Sequence, residues 1–320
     1  MANRAVIRVG GVGAAVLAVV LTGASGAAPQ DAGRDMPPVT SPLPPPQTRT
    51  PRAVAVLAPY RYDDLLWEND RTAHRIYGRA LEAAEPPSGS GIDSWGKNVA
   101  WPFADRQLRS GDQHGYHGEG IDFYNVGTTR GAGGLGIWYD NKLWTSRNYV
   151  RHRILASDGK TADFTVDYAP WPVDVGRRVW ETRRFTLPLG TYFTRMVSTL
   201  SSDRPDALLV GIGIGKRTTI VDKDGEVTVD KARGFISWWG PETGDHGRMG
   251  IAVKVDPRMI VDVKSDADNH LILLRVQPGK PFVYYSGSVW DKGIAGIRTR
   301  AAWDHYVASA PVDFAPPPRG

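Results

Sequence analysis

The sequence contains no cysteine, and this absence excludes several kinds of chemistry. Without thiols the chain has no disulfide, no cysteine nucleophile, no cysteine-bound zinc and no lipid attached through sulfur. A folded body of about 265 residues is large enough to bury a stable apolar core without such cross-links. The lack of cysteine therefore restricts the chemistry of the protein but not its ability to fold.

Long runs of positive charge are also lacking. The formal net charge is +5 at pH 7, but the first 59 residues supply +3 of it. The rest of the chain mixes both signs, and it has no lysine- or arginine-rich run of the length that a polyanion footprint needs. The composition therefore predicts no nucleic-acid partner.

Apolar runs long enough to cross a membrane are absent too. Residues 9–21 form an uncharged apolar run of 13 residues, shorter than a spanning helix of about 20 residues. Arg4 and Arg8 precede this run and the small residues 23–28 follow it, which is typical of a secretory signal peptide. We predict that residues 1–28 are this signal peptide, and that the mature protein is periplasmic or secreted, with no membrane contact after cleavage.

Prolines dominate the next segment. Between residues 31 and 59 they occupy positions 37, 38, 42, 44, 45, 46, 51 and 59. Because proline lacks a backbone donor and fixes φ, residues 29–59 are predicted to be a disordered, extended linker. Residues 60–320 are then left as a single catalytic domain, which is expected to be a monomer.

Aromatic residues and glycines set the fold class. All 11 Trp and 12 Tyr lie beyond residue 59, and the chain has 36 Gly. From residue 120 onward, short apolar or alternating runs are separated by turn signals such as Asp158-Gly159 and Asp224-Gly225. The pattern predicts an all-β protein, a large antiparallel β-sandwich with one or two short helices. One helix is expected at 299–308, whereas 63–84 fits a helix or a strand entering near Thr72.

The densest group of polar side chains lies in residues 113–124 (QHGYHGEGIDFY). Imidazoles, phenols and carboxylates spaced by glycines suit proton transfer near neutral pH. The alternative is a polar loop that leads into a strand at 121–127. The functional interpretation takes His117, Tyr124, Tyr116 and His114 as catalytic candidates and Asp122 as a substrate-binding candidate.

No cofactor is predicted. A divalent cation bound by His114, His117 and either Glu119 or Asp122 is the alternative, although this spacing matches no general metal motif.

Two further clusters carry groups that bind sugars. The first is WENDR at 67–71 with Arg75, and the second is SGSVWDK at 286–292. Arginine binds carboxylates in a bidentate manner, and tryptophan stacks on sugar rings. Structural alternatives are a salt-bridge cluster for the first and a core tryptophan at a strand end for the second. The substrate-binding candidates are Glu68, Asn69, Arg75, Arg153, Trp290 and Lys292.

Four stretches resemble a bacterial family that was first defined as a domain of unknown function. They are YDDLLWENDRTAHRIYGRAL at 62–81, HGYHGEGIDFYNVG at 114–127, GAGGLGIWYDNKLW at 131–144 and YYSGSVWDKG at 284–293. That family is found with enzymes that degrade pectin-like and ulvan-like polysaccharides, and it includes an oligosaccharide dehydratase. The resemblance implies a mutarotase-like β-supersandwich that removes water from the non-reducing uronic acid of an oligosaccharide, its expected partner.

Such a dehydration is a β-elimination and needs a base, an acid and a cation for the uronate. Under this hypothesis His117 is the base and Tyr124 or Tyr116 is the acid, while Arg75, Arg153 or Lys292 binds the carboxylate. Three alternatives stay open. They are a polysaccharide lyase, a glycoside hydrolase with Glu68 and Asp122 as paired carboxylates, and a carbohydrate-binding protein without activity.

Overall fold

The computed structural model describes residues 36–216, 223–294 and 296–317. The predicted signal peptide at 1–28 lies outside the described residues. Within the described ranges, no helix is long and apolar enough to cross a membrane.

Strands dominate the described part of the chain, and they form three antiparallel sheets. The first sheet has the order β1-β2-β3-β4-β5, in which the strands are β1 (Val54–Ala58), β2 (Asp64–Glu68), β3 (Ala73–Ile76), β4 (Asp93–Lys97) and β5 (Gly120–Ile121). The second has eight strands, β8 (Arg151–Ser157), β9 (Thr161–Asp174), β10 (Arg177–Pro188), β11 (Phe193–Ser202), β13 (Glu226–Asp230), β14 (Phe235–Trp239), β15 (Met249–Val255) and β18 (Pro281–Trp290), in the order β13-β14-β15-β18-β11-β10-β9-β8. The third has the order β16-β17-β12-β6-β7, with β6 (Ala132–Tyr139), β7 (Lys142–Trp144), β12 (Leu208–Gly215), β16 (Ile260–Ser265) and β17 (Asn269–Val276).

Helices are few and short. They are α1 (Leu81–Ala84), α2 (Ala104–Arg109) and α3 (Arg300–Ser309), with 3-10 turns at Pro59–Arg61, Gly244–His246 and Pro257–Met259. The helix predicted at 299–308 is α3, which begins after Thr299, whose hydroxyl accepts a hydrogen bond from the amide of Ala302. The ambiguous stretch 63–84 contains the strands β2 and β3 followed by α1. The predicted all-β class with antiparallel sheets is confirmed, although the described residues contain three short helices instead of the one or two expected.

Apolar side chains from all three sheets contribute to one core. Trp67 of β2 links the first sheet to the eight-stranded sheet. Its ring lies 5.3 Å from Phe164 and 5.2 Å from Phe185, and its indole N–H donates to the hydroxyl of Thr194 at 2.9 Å. This contact fixes the position of β2 and of the strand β3 that pairs with it.

Part of the segment predicted as a disordered linker, residues 36–59, has a defined place in the structure, and residues 29–35 lie outside the described ranges. Residues 54–58 form β1, and the N-terminal strap, residues 36–52, lies along the domain. The amide of Thr40 donates to the carbonyl of Tyr116 at 2.9 Å, and Arg106 donates to the carbonyl of Pro44 at 2.8 Å. Proline removes a donor but keeps its carbonyl, so an extended proline-rich chain can still dock by accepting hydrogen bonds.

A buried ion pair joins the first sheet to α2. Lys97 Nζ lies 2.5 Å from Glu68 Oε2, and both side chains are almost fully buried. Glu68 Oε1 also accepts hydrogen bonds from the amides of Phe103 and Ala104, both at 3.0 Å, at the start of α2. Burial lowers the pKa of Lys97, and the Glu68 charge opposes that shift. The pair is therefore part of the packing of the domain.

We predict that Lys97→Met lowers the free energy of unfolding by about 3–5 kcal/mol, because it leaves the Glu68 carboxylate buried without its cation. Urea unfolding measures the change. Arg233→Met is the matched control, because the Arg233–Asp230 pair is exposed, and its expected effect is below about 1 kcal/mol. Equal losses in the two variants would contradict a structural role of the buried pair.

Candidate functional site

A cleft of about 340 Å³ opens beside β3 and β4. The cleft is lined by Arg75 of β3, by Tyr77, which directly follows β3, and by Asp93 of β4. Residues 113–114 and 122–127 line it as well. Arg75 and Asp93 are cross-strand partners in the first sheet, which places both side chains on one face. The site therefore lies where the first sheet meets the glycine-rich loop, residues 113–124.

The guanidinium of Arg75 is the centre of the site. Its Nη2 lies 2.7 Å from Asp93 Oδ2 and 2.9 Å from Asp122 Oδ2, and its Nη1 lies 3.6 Å from Asp64 Oδ2. Burial opposes the positive charge, but the surrounding acidic groups outweigh it and raise the pKa of Arg75 above its ordinary value. One permanent cation therefore holds three buried carboxylates.

Among these three carboxyls, Asp64 has a pKa that is raised by its burial. Burial raises the pKa of Asp64 to about 7, against the opposing effect of the Arg75 charge. Asp64 lies on β2, which pairs with β3, so its carboxyl lies behind the wall of the cleft. It changes its charge near neutral pH.

A closed ring of hydrogen bonds runs from Arg75 through the loop and back. Arg75 Nη1 donates to Gln113 Oε1 at 3.1 Å, and Gln113 Nε2 lies 3.1 Å from His114 Nε2. His114 Nδ1 lies 2.8 Å from the carbonyl of Asp122, whose carboxylate returns to Arg75. Because a carbonyl only accepts, Nδ1 is the protonated nitrogen, and Nε2 carries the lone pair that accepts from Gln113. The His114 side chain is 71% exposed, so this basic nitrogen lies at the cleft mouth.

Asp93 is surrounded by donors. Its Oδ2 accepts from Arg75 Nε at 3.0 Å, from the Tyr77 hydroxyl at 3.2 Å and from Trp95 Nε1 at 3.2 Å. Burial raises the pKa of Tyr77 well above its ordinary value, so this phenol keeps its proton. The cleft therefore holds a protonated phenol as well as an imidazole.

Four predicted site residues line this cleft. They are His114, Tyr124, Arg75 and Asp122. Tyr124 is itself buried, with its hydroxyl 3.5 Å from the carbonyl of Gly215. The structure therefore brings together part of the 113–124 cluster and Arg75, which are distant in sequence.

Two predicted catalytic residues lie elsewhere. His117 is buried, with Nδ1 2.6 Å from the carbonyl of Ser41 and Nε2 2.8 Å from the carbonyl of Asp112. Tyr116 packs its ring 6.1 Å from Trp290 and accepts a hydrogen bond from Asn98 at 2.8 Å. Neither side chain lines the cleft. His117 instead joins the N-terminal strap to the loop that carries Gln113 and His114.

Most of the predicted substrate-binding residues also have other positions. Glu68 forms the buried pair described above, and Asn69 donates to the carbonyls of Pro188 and Thr191. Trp290 is buried, with its indole N–H donating to the carbonyl of His246 at 2.6 Å. Lys292 donates to the carbonyl of Asp245, and Arg153 is exposed on β8. Their predicted contact with a substrate in this cleft is not supported by their positions.

The alternative cation site is not assembled either. Across the part of the chain that the structure describes, no three His, Asp or Glu side chains are arranged to hold a metal ion. Glu119 pairs with Arg106, and His117 is turned to the N-terminal strap. The absence of a cofactor stays a prediction.

Sequence reasoning did not assign a site role to Asp93, Gln113 or Arg61. Gln113 adjoins His114, so its proximity was visible in the sequence. Asp93 becomes a partner of Arg75 only through the register of β3 and β4, and Arg61 enters the cleft from a 3-10 turn. Such pairings depend on tertiary structure, which no local pattern in this chain encodes.

We predict that Asp64→Asn changes how stability depends on pH. The pKa of Asp64 is raised from 3.8 to about 7 on folding, so its contribution is fully present below pH 3.8 and is lost as pH rises through 7. Relative to Asp64→Asn, the free energy of unfolding of the unmodified protein should fall by about 4 kcal/mol in total as pH rises from below 3.8 to above 7, and about 3 kcal/mol of this loss lies between pH 5 and pH 8. Urea unfolding at about pH 5 and about pH 8 measures the difference, and exposed Asp206→Asn is the control. If the difference in the free energy of unfolding between Asp64→Asn and the parent is the same at both pH values, the prediction is wrong.

Comparison with known proteins assigns a family and two distant structural neighbours. The family described as "Domain of unknown function (DUF4861)" matches residues 29–319. "Uncharacterized protein P7" of Formosa agariphila is 30% identical over 267 residues, which cover 78% of this chain and 64% of that protein, so the chain spans less than two-thirds of its curated relative. The GH36 α-galactosidase AgaB of Geobacillus stearothermophilus aligns with a TM-score of 0.35 and 11% identity, over 73% of this chain and 40% of that one. A variant of AgaA from the same organism, in complex with raffinose, gives 0.34 and 11%, over 71% and 40%.

Proposed function

The chain belongs to the DUF4861 family, and we propose that it is an exported enzyme that eliminates water from the non-reducing uronic acid of an oligosaccharide. The observation that carries this proposal is the hydrogen-bonded ring that presents His114 Nε2 at the mouth of the cleft. The resemblance of four sequence stretches to a family with an oligosaccharide dehydratase supports the choice of reaction.

In this elimination the C5–H and C4–O bonds break, a C4=C5 double bond forms, and water leaves. The C5 proton is weakly acidic because it lies beside a carboxylate, so a positioned base is needed. His114 takes this role in place of the expected His117. The lone pair of His114 Nε2 accepts a hydrogen bond from the Gln113 side-chain amide, which the substrate must displace before Nε2 can take the proton, whereas both ring nitrogens of His117 face backbone carbonyls in the interior.

The substrate carboxylate needs a cation whose present partner can be displaced. Arg75 is held by three buried carboxylates and is not free to bind another. Arg61 also lines the cleft, and its pair with Glu85 at 2.6 Å involves a carboxylate that is 53% exposed. Exposed pairs of this kind contribute little stability, so a uronate can replace Glu85 at low cost. We therefore assign the uronate to Arg61.

Tyr77 is the phenol best placed to protonate the departing C4 hydroxyl. It lines the cleft, and its hydroxyl, which is protonated at neutral pH, donates to Asp93 at 3.2 Å; to protonate the leaving oxygen, the O–H must rotate from Asp93 toward the substrate. The hydroxyl of Tyr124 is instead directed toward the carbonyl of Gly215. This mechanism therefore assigns the role of acid to Tyr77 instead of the expected Tyr124 or Tyr116.

Glycoside hydrolysis is less well supported by the same groups. Glu68, one of the two expected carboxylates, is held by Lys97 away from the cleft. Asp93 and Asp122 both contact Arg75 Nη2, so their Oδ2 atoms are at most about 5.6 Å apart, a limit that includes the separation of about 5–5.5 Å in retaining glycosidases. However, both carboxylates are held by the same guanidinium, which leaves neither of them positioned as an independent acid for hydrolysis.

We predict that His114→Ala lowers kcat by about 10²–10⁴-fold on a uronate-terminated oligosaccharide, because the base for the C5 proton is lost. Ultraviolet absorbance of the unsaturated product follows the rate, and mass spectrometry tests for loss of one water. His305→Ala, on the exposed face of α3, is the control and should keep full activity. Full activity in His114→Ala would remove this assignment, and two shorter sugars as products would indicate a lyase instead.

A second prediction concerns Arg61. Arg61→Gln should raise KM for the uronate-terminated substrate by roughly tenfold or more, since the charge that binds the carboxylate is lost. Arg61→Lys should recover part of the loss, because it restores the charge without the bidentate geometry. Steady-state kinetics separate KM from kcat. An unchanged KM in Arg61→Gln would show that another group binds the carboxylate.

A further inference from the structure

The outer face of the eight-stranded sheet is covered over only part of its width. Trp303 and Val307 of α3 pack there in one apolar cluster with Val197 of β11 and Val283 of β18. Arg184 of β10 is the cross-strand partner of Val197, so it lies on the same face, yet it is exposed. In the described ranges, the outward side chains of β10 stay exposed beyond the edge of α3.

Trp180 lies in this uncovered area. On β10, Val179, Glu181 and Arg183 point inward and are buried, while Trp180 is 38% exposed on the opposite face. Single exposed apolar residues are common and need no explanation by themselves. The neighbours of Trp180 are what distinguish it.

Cationic side chains share this face with Trp180. Strand register places Arg184 opposite Thr165 of β9, and Thr165 opposite Arg153 of β8. Trp180 is four residues before Arg184 on the same strand, a spacing of about 13 Å. The ladder between β9 and β10 is irregular between Val179 and Glu181, beside Trp180. Such an irregularity locally bends a sheet and redirects side chains.

The charges on this face do not cancel. Arg184 pairs with Asp163 at 2.5 Å, Arg151 with Asp167 at 3.1 Å, and Arg178 with Asp203 at 3.4 Å. Arg153, exposed beside them, has no carboxylate partner within 4.0 Å among the residues that the structure describes. The face therefore has one arginine in excess, in contrast to the cleft, where carboxylates outnumber the arginines.

We propose that the outer face of β8, β9 and β10 is a second carbohydrate-binding surface, separate from the cleft, which holds an anionic polysaccharide chain. Trp180 stacks on a sugar ring, and Arg153 binds an acidic group of the chain. Guanidinium matches carboxylate and sulfate oxygens in bidentate geometry, and an indole offers a large rigid surface at low entropic cost. The excess positive charge selects an acidic chain over a neutral one.

Native electrophoresis through gels that contain polygalacturonate, dextran sulfate or neutral dextran tests the proposal with the full chain. Polygalacturonate should retard the protein, and neutral dextran should not. Trp180→Ala and Arg153→Ala should each weaken the retardation by roughly tenfold. Dextran sulfate distinguishes a preference for carboxylate from a general preference for acidic groups.

Matched controls separate this surface from the cleft. Tyr139→Ala removes another exposed aromatic residue, and Arg233→Ala removes another exposed arginine; both should leave retardation unchanged. Trp180→Thr keeps strand propensity and serves if the alanine variant does not fold. Turnover of a short oligosaccharide should be the same in the Trp180 and Arg153 variants as in the parent, and His114→Ala should still be retarded. The electrophoresis result therefore does not depend on whether the protein catalyses the proposed dehydration.

The proposal is overturned if no acidic polymer retards the parent protein. It is also overturned if Trp180→Ala and Arg153→Ala behave like the Tyr139 and Arg233 controls. Retardation lost only in Arg61→Gln would assign polymer binding to the cleft instead.

Discussion

The guanidinium of Arg75 is the interaction on which the rest of the site depends. It connects Asp64 on β2, Asp93 on β4 and Asp122 in the glycine-rich loop. Each of these carboxylates is buried, and a buried carboxylate without a cation is costly. Without Arg75 the loop would lose the contact that orients Gln113 as well as Asp122, so the position of His114 is a consequence of this one charge.

Under the proposed function, the charge of the cleft also limits which groups can bind an acidic substrate. Three carboxylates already contact Arg75, so an acidic substrate must use a cation with a weaker partner. Arg61 fits because Glu85 is exposed and exchangeable. Because carboxylates outnumber arginines in the cleft lining, we expect it to attract a polyanion only weakly. A surface with excess positive charge elsewhere, beside Trp180, would supply that attraction and leave the cleft to a single terminal sugar.

The sequence allowed the fold class to be predicted because strand alternation is local. β10 alternates buried and exposed residues along nearly its whole length, and that period is visible in the chain itself. The contribution of residues 113–124 to a site was predictable for the same reason, since its polar groups lie within one loop. The pairing of Arg75 with Asp93 was not, because it depends on strand register. Sequence could not decide between His114 and His117 either, as they are three residues apart on flexible glycine-rich backbone.

What separates those two histidines is the N-terminal strap. The carbonyl of Ser41 contacts His117 at 2.6 Å, and Thr40 binds the backbone of Tyr116. These contacts hold His117 against the strap, and the hydrogen bond from Gln113 to His114 holds the other end of the loop at the cleft. The proline content suggested disorder, but an extended chain needs few donors of its own when the domain supplies them. The family match from residue 29 includes the strap, which agrees with its role as part of the domain. The geometry of the site therefore depends on a segment whose composition, taken alone, predicts that it has no fixed place in the fold.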